Sequence, residues 1–277
     1  MPASDARLLL DFLRPGRTRI YGPHRSQRAE LHLPRGPGPH PVMVVIHGGS
    51  WQARYGKAVM RGVVADLVRR GWAAWNIEYR RVGGGGGWPA TFFDVAAAID
   101  HLATIDDPRL DLARCSVLGH SAGGHLALWA ASRERLPAGA PGHLDRPPAV
   151  PLRQAIVQAG ACDLAGAYVR WRGGAARALM GGGPEEVPER YAAGDPIALV
   201  PPDVPVLLVH GVLDDVVSVE LSRSYATAAG AAGGTVELVE IAGRAGRHRA
   251  HLDPRGGAWA AVTQRLGAIS SSAGVSA

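Results

Sequence analysis

The run Gly119-His120-Ser121-Ala122-Gly123 constrains this chain more than any other stretch. It joins a short apolar segment, Cys115-Ser116-Val117-Leu118, to a segment with helical patterning that runs from Ala122 to about Ser132. A G-x-S-x-G between a strand and a helix describes a sharp turn with the serine at its tip, in a strained backbone conformation. Side chains two residues before and after that serine would collide, so glycine stands at both positions. The turn exposes the Ser121 hydroxyl and aims the N–H of Ala122 at any carbonyl the hydroxyl attacks. A bare G-x-S-x-G also arises in ordinary turns, so the reading depends on partners elsewhere in the chain.

The rest of the sequence alternates strand and helix. Residues 28–33 alternate as a strand, and Val42-Met43-Val44-Val45-Ile46 is a continuous apolar run suited to a strand buried on both faces. A helix is predicted over about 57–70, with Met60, Val63, Val64, Leu67 and Val68 on one side and Gly71 as its stop. Further strands are predicted at 72–79, 154–158, 204–209 and 235–241. Further helices fall at 92–104, after a capping Thr91, at 217–230 and at about 254–269. This order predicts an α/β class, with a mostly parallel sheet and helices on both faces. Residues 1–27 read as an arginine-rich irregular extension and 270–277 as a frayed tail. Residues 163–200, broken by Gly181-Gly182-Gly183-Pro184, read as an insertion covering the site. No repeat or linker divides the chain, so one domain over 1–277 is expected.

Composition removes several alternatives. Apolar residues make up 47% of the 277, enough for a sizeable core, yet no apolar run approaches the roughly 18 residues of a membrane span. Leu8-Leu9-Leu10 is closed by Asp11 and Arg14 and lacks a signal peptide's apolar region, so a cytoplasmic protein without membrane attachment is expected. Two cysteines, Cys115 and Cys162, make no disulfide framework. The net charge of +6 does not point to nucleic acid: Lys57 is the one lysine among 30 basic residues, and the arginines are scattered rather than striped. The glycine run 83–87 lacks the ending of a phosphate-binding loop, and no His/Cys cluster has metal-ligand spacing, so neither cofactor nor metal is expected.

A nucleophilic serine needs a base, the base an orienting acid, and the developing oxyanion needs donors. In a doubly wound sheet these belong in loops at strand C-terminal ends. The acid candidates, Asp214 and Asp215, follow the strand at 204–209 in His210-Gly211-Val212-Leu213-Asp214-Asp215. Adjacent residues point in different directions, so only one of them can orient the base; Asp215 better suits a helix cap. The base candidates, His248 and His251, follow the last strand. Oxyanion donors are expected from Ala122 and from His47-Gly48-Gly49-Ser50-Trp51, in which Gly48 and Gly49 let the backbone approach a substrate. Trp51 and Trp88 sit in loops expected to line the pocket, with His120 beside the serine and Trp171 in the cover.

These segments, together with Tyr79-Arg80-Arg81, Trp88-Pro89-Ala90 and Asp94, resemble the α/β-hydrolase superfamily. Within it, the chain is similar to the small HGG-type esterases and the serine-dependent kynurenine formamidases, over about residues 40–260. The resemblance implies Ser121 as nucleophile. It implies Asp214 as acid through the pattern H-G-x-x-D-x-x-V, and His248 as base, five residues before Asp253-Pro254. The histidine loop departs from the family's Pro-Gly-Ala-Gly-His. It reads Ala242-Gly243-Arg244-Ala245-Gly246-Arg247-His248, longer and with two arginines. The implied activity is hydrolysis of a small ester through an acyl-enzyme. N-formylkynurenine hydrolysis, a peptidase-like activity and a non-catalytic ligand-binding module are the alternatives. The implied partner is a small ester or amide.

Overall fold

The structure, a computed structural model, describes residues 16–272. The first 15 residues of the expected extension and residues 273–277 of the expected tail lie outside the described residues. The strands are β1 (Arg17–Ile20), β2 (Arg28–His32), β3 (His40–Ile46), β4 (Ala73–Ile77), β5 (Leu110–His120), β6 (Leu152–Gln158), β7 (Val206–Gly211) and β8 (Val236–Ile241). They form one sheet in the order β1-β2-β4-β3-β5-β6-β7-β8. The β1–β2 and β2–β4 pairings are antiparallel and every other pairing is parallel.

The helices are α1 (Arg61–Arg69), α2 (Ala90–Asp100), α3 (Ala122–Ala130), α4 (Leu164–Arg170), α5 (Gly174–Met180), α6 (Pro188–Gly194), α7 (Glu220–Ala231) and α8 (Gly257–Ser272). Strand β3 shows why its run is apolar throughout. Val42, Val44 and Ile46 belong to the core shared with α2, α3 and α7, whereas Met43 and Val45 belong to the core shared with α1 and α8. A strand covered on both faces has no solvent side on which to place polar residues. Helix α3 follows the same logic: every residue in it is buried, so it carries no polar stripe.

Three expectations need correction. Residues 17–20 form an edge strand within the expected irregular extension; its side chains are mostly exposed, so no apolar period betrayed it. Helix α7 begins at Glu220 rather than 217, because the backbone N–H groups of Val216 and Val217 are taken by Asp214. Asp215 caps no helix, since α7 starts after Val219 with no side-chain cap.

Between β6 and β7 the chain makes the three short helices α4, α5 and α6. The first and last of them are tied together by the buried Asp195, just after α6, whose carboxylate accepts from the N–H of Leu164 and of Ala165 at the start of α4, each at 2.8 Å. Helix α3 holds this segment in turn: His125 Nε2–H donates to the Gly194 carbonyl at 2.8 Å, and Trp129 Nε1–H donates to that of Ala193 at 3.0 Å. No described helix is long and apolar enough to cross a membrane.

Candidate active site

Ser121 sits between the end of β5 and the first turn of α3 with φ +57° and ψ −122°. A non-glycine residue at such a positive φ is strained and persists only where its surroundings dictate it. Here they do. A Cβ at Gly119 would overlap the Gly123 carbonyl, and one at Gly123 would overlap the Ile46 carbonyl at the end of β3. The Ser121 N–H donates to the Gln158 carbonyl of β6 at 2.9 Å. The elbow is thus wedged between β3 and β6, the two neighbours of its own strand.

The His47–Trp51 loop leaves β3 directly beside it. A Cβ at Gly48 would lie 2.7 Å from the His120 carbonyl and 2.9 Å from Ser121 Cβ, so only glycine lets the loop press against the serine. The loop is anchored from β4 and the turn after it. His47 stacks on Tyr79 with centroids 4.5 Å apart, and the Tyr79 hydroxyl donates to the His47 carbonyl at 2.8 Å. His47 Nε2 lies 2.7 Å from Glu78 Oε1, and Arg81 pairs with the same carboxylate. Arg80 pairs with the buried Asp94.

On the other side, β7 and β8 end side by side, and Gly211 pairs with Ile241. A Cβ at Gly211 would overlap the Gly246 carbonyl, so the turn after β7 and the turn after β8 are in backbone contact. That contact brings Asp214 to His248: Nδ1–H donates to Asp214 Oδ2 at 2.8 Å. Asp214 Oδ1 accepts from Val216 and Val217 N–H, both at 2.9 Å. His210 Nε2–H donates to the Val217 carbonyl at 2.8 Å and lies 3.5 Å from Asp214 Oδ2, so its Nδ1 accepts from the Ser222 hydroxyl at 2.7 Å. Burial pushes the Asp214 carboxyl up, but the hydrogen bonds from His210 and His248 outweigh it and hold the group well below the usual carboxylate range. Asp215 is exposed.

His251 does not meet either aspartate. It is fully buried, 6.4 Å from both His120 and His210 by ring centroids. Burial, and secondarily His210, push its pKa down to about 4. His120 links the two halves of the site, since its Nε2–H donates to the His248 carbonyl at 3.0 Å. Burial and the neighbouring His248 push its pKa down to about 3, so it is neutral at ordinary pH. Gln158 is a second link: its Nε2–H donates to the His251 carbonyl at 2.9 Å.

An open cleft of about 340 Å³ is lined by Gly48, Gly49, Ser121 and His248, with His120 beside them. Its remaining walls include Tyr55, Val59, Val216, Arg249 and Leu252, none of which the sequence motifs marked. The two tryptophans expected there are elsewhere. Trp51, with φ +55°, is 1% exposed, edge-on to His125 and 6.3 Å from Trp171. Trp88 packs on Phe92 with centroids 5.0 Å apart, toward the core. A larger cavity of about 430 Å³ lies by the C-terminal end of β2 and the N-terminal ends of the parallel strands, lined by His32 and Arg109, away from Ser121.

Residues 30–228 match the BD-FAE family. The chain belongs to that family. The esterase LipQ of Mycobacterium tuberculosis is 29% identical over 249 residues, covering 80% of this chain and 58% of its own length. The esterase LipC of the same organism is 29% identical over 198 residues, covering 68% and 47%. This member of the BD-FAE family therefore spans about half the length of the curated relatives it matches. Among solved structures, a truncated carbohydrate esterase from gut microbiota superposes with a TM-score of 0.77 at 20% identity, covering 93% of this chain and 96% of that one. The propionate-bound thermophilic esterase of the planctomycete Thermogutta terrifontis gives 0.73 at 22%, covering 94% of both. The shared fold is that of the α/β-hydrolases.

Proposed function

We propose that this BD-FAE chain is a serine-dependent carboxylesterase. The reading rests on one observation above the others: a strained serine opens onto the same cleft as a histidine whose far nitrogen is held by a shielded carboxylate. Because His248 Nδ1–H donates to Asp214, Nε2 carries the lone pair and acts as the base. Ser121 Oγ attacks the ester carbonyl while its proton passes to Nε2. The carbonyl oxygen becomes an oxyanion facing the N–H groups of Ala122, Gly48 and Gly49. Ala122 opens α3, where N–H groups have no partner within the helix and the helix dipole favours negative charge. Collapse expels the alcohol, which takes the proton from His248. Water, deprotonated by the same nitrogen, then releases the acid and restores the serine.

Esters are favoured over formamides because the relatives described above are named esterases; the formamide alternative rests on the loop motifs alone. A single domain in the cytoplasm is part of the same reading, supported by one continuous sheet and by two buried, unpaired cysteines. The test is turnover of 4-nitrophenyl acetate and butyrate, beside N-formylkynurenine, by wild type and Ser121→Ala, with a fluorophosphonate probe for the serine. Ester turnover should fall at least roughly 10⁴-fold in the variant, and labelling should vanish while the thermal melt is retained. A folded wild type that neither labels nor turns over esters would favour a ligand-binding module instead.

A further inference from the structure

We propose that Arg249 selects esters that carry a carboxylate beside the scissile bond, a substrate class that deepens the esterase reading and rests on it. The cleft around Ser121 has a one-sided wall. Tyr55, Val59, Val216 and Leu252 give it an apolar body, and among the described residues no carboxylate lines it. Arg249 is its one permanently charged lining residue. It directly follows His248 in the short helical turn His248–Leu252, so its position relative to the base is set by a single peptide unit.

The nearby acids do not neutralise it. Asp214 is engaged by His248, His210 and the N–H groups of Val216 and Val217. Asp253 pairs with Arg255, and Asp215 is exposed outside the lining. Arg249 itself is exposed and enters none of the ion pairs found among the described residues. A second cation lies close behind the lining: the Arg54 guanidinium sits 5.0 Å from the centroid of the Tyr55 ring and enters none of the ion pairs found among the described residues. An apolar ester body on Val59, Val216 and Leu252 would bring a carboxylate on the acyl or the alcohol side within reach of a long, flexible guanidinium. A neutral ester of the same size would leave that cation in water with nothing to gain.

The carboxylate can belong to the acyl chain or to the alcohol, and the test separates the two. Mono(4-nitrophenyl) adipate carries it on the acyl side and is compared with its methyl ester. 4-Butyryloxybenzoate carries it on the alcohol side and is likewise compared with its methyl ester. In wild type, one of the two pairs should favour the anion in kcat/KM. In Arg249→Gln the anionic-to-neutral ratio of that pair should fall roughly three- to tenfold, through KM, and Arg249→Lys should retain most of it. Raising the salt to about 0.5 M should shrink the wild-type ratio, as screening of an exposed charge requires.

Turnover of the neutral esters with normal probe labelling, but a ratio that Arg249→Gln leaves unmoved, would overturn the assignment and leave the esterase standing. A fall of equal size for anionic and neutral esters would also overturn it, as loss of packing rather than of charge. Failure of wild type to label and to turn over any ester would bring down both readings.

Discussion

The two halves of the candidate site are built by different physics. The nucleophile half, Ser121 with Gly48, Gly49 and Ala122, is held by backbone: a positive φ, glycines that admit no Cβ, and neighbouring strand ends. The acid–base half, Asp214 with His248, is held by side chains on two turns after β7 and β8, propped by His210 from behind. Helix α3, which fixes the first half, has no exposed residue, whereas the Asp214 turn carries the exposed Val212, Leu213 and Val216. Rigidity in one half comes from steric exclusion and in the other from a chain of hydrogen bonds. The first should therefore be sensitive to an added Cβ, and the second to loss of a hydrogen-bond acceptor.

The largest expected effect beyond loss of the serine itself is in the side-chain half. Asp214→Asn removes the acceptor that fixes the His248 tautomer, and ester kcat should drop roughly 10³- to 10⁴-fold in a folded protein. The backbone half is tested by Gly48→Ala. Its new Cβ would press on the His120 carbonyl and Ser121 Cβ and displace the oxyanion donors, costing roughly 10²- to 10³-fold in kcat. A Gly48→Ala enzyme of wild-type rate would remove that loop from the oxyanion site.

The histidines behind the base give a pH-dependent prediction. His251 has its pKa lowered in the fold to about 4, while an unfolded histidine titrates near 6.5. Between those values the unfolded chain binds more protons, so this group's contribution to stability is lost as pH falls from about 6.5 toward 4. Asp195, pushed up to about 7 by burial, acts in the opposite sense over much of that range, so the difference between two proteins is the clean measurement. Unfolding free energies from urea titrations across pH 7 to 4 should fall less steeply for His251→Gln than for wild type, by up to about 3 kcal/mol overall. Parallel curves would mean that His251 finds a partner when protonated. The smallest effect is expected at Asp215→Asn, whose esterase rate should stay within about twofold of wild type because the residue touches neither histidine. A loss comparable to that of Asp214→Asn would reverse the roles of the two aspartates.

Much of the nucleophile half was legible in the residues, because glycine spacing records backbone geometry directly. Gly119 and Gly123 flank the serine where a Cβ has no room, and Gly48 faces it across the loop after β3. By residue pattern alone the acid–base half was legible only down to pairs, Asp214 or Asp215 and His248 or His251, and it took the family resemblance to single out Asp214 and His248. Neighbouring residues in a turn carry the same local signal, and the contact of Gly211 with Gly246 that selects between them spans two distant turns. The pocket walls were the least legible. Trp51 and Trp88 looked like lining because they are large and sit in loops, yet a large apolar loop residue packs into the core as readily as it lines a cleft, and both pack inward here. Val59, Val216, Arg249 and Leu252 carry no motif, and they line the cleft only because four separate segments converge there.

By itself, then, the sequence determined the α/β class, the elbow and the loop beside it, since those depend on local periodicity and on where a Cβ cannot be placed. The family resemblance singled out Asp214 and His248, whereas the tertiary structure alone decided that His120 and Gln158 tie the two halves together and which side chains face the cleft. These are contacts between strand ends that neighbour one another only because the sheet orders β5, β6, β7 and β8 side by side, and no local pattern along the chain encodes a distance across it.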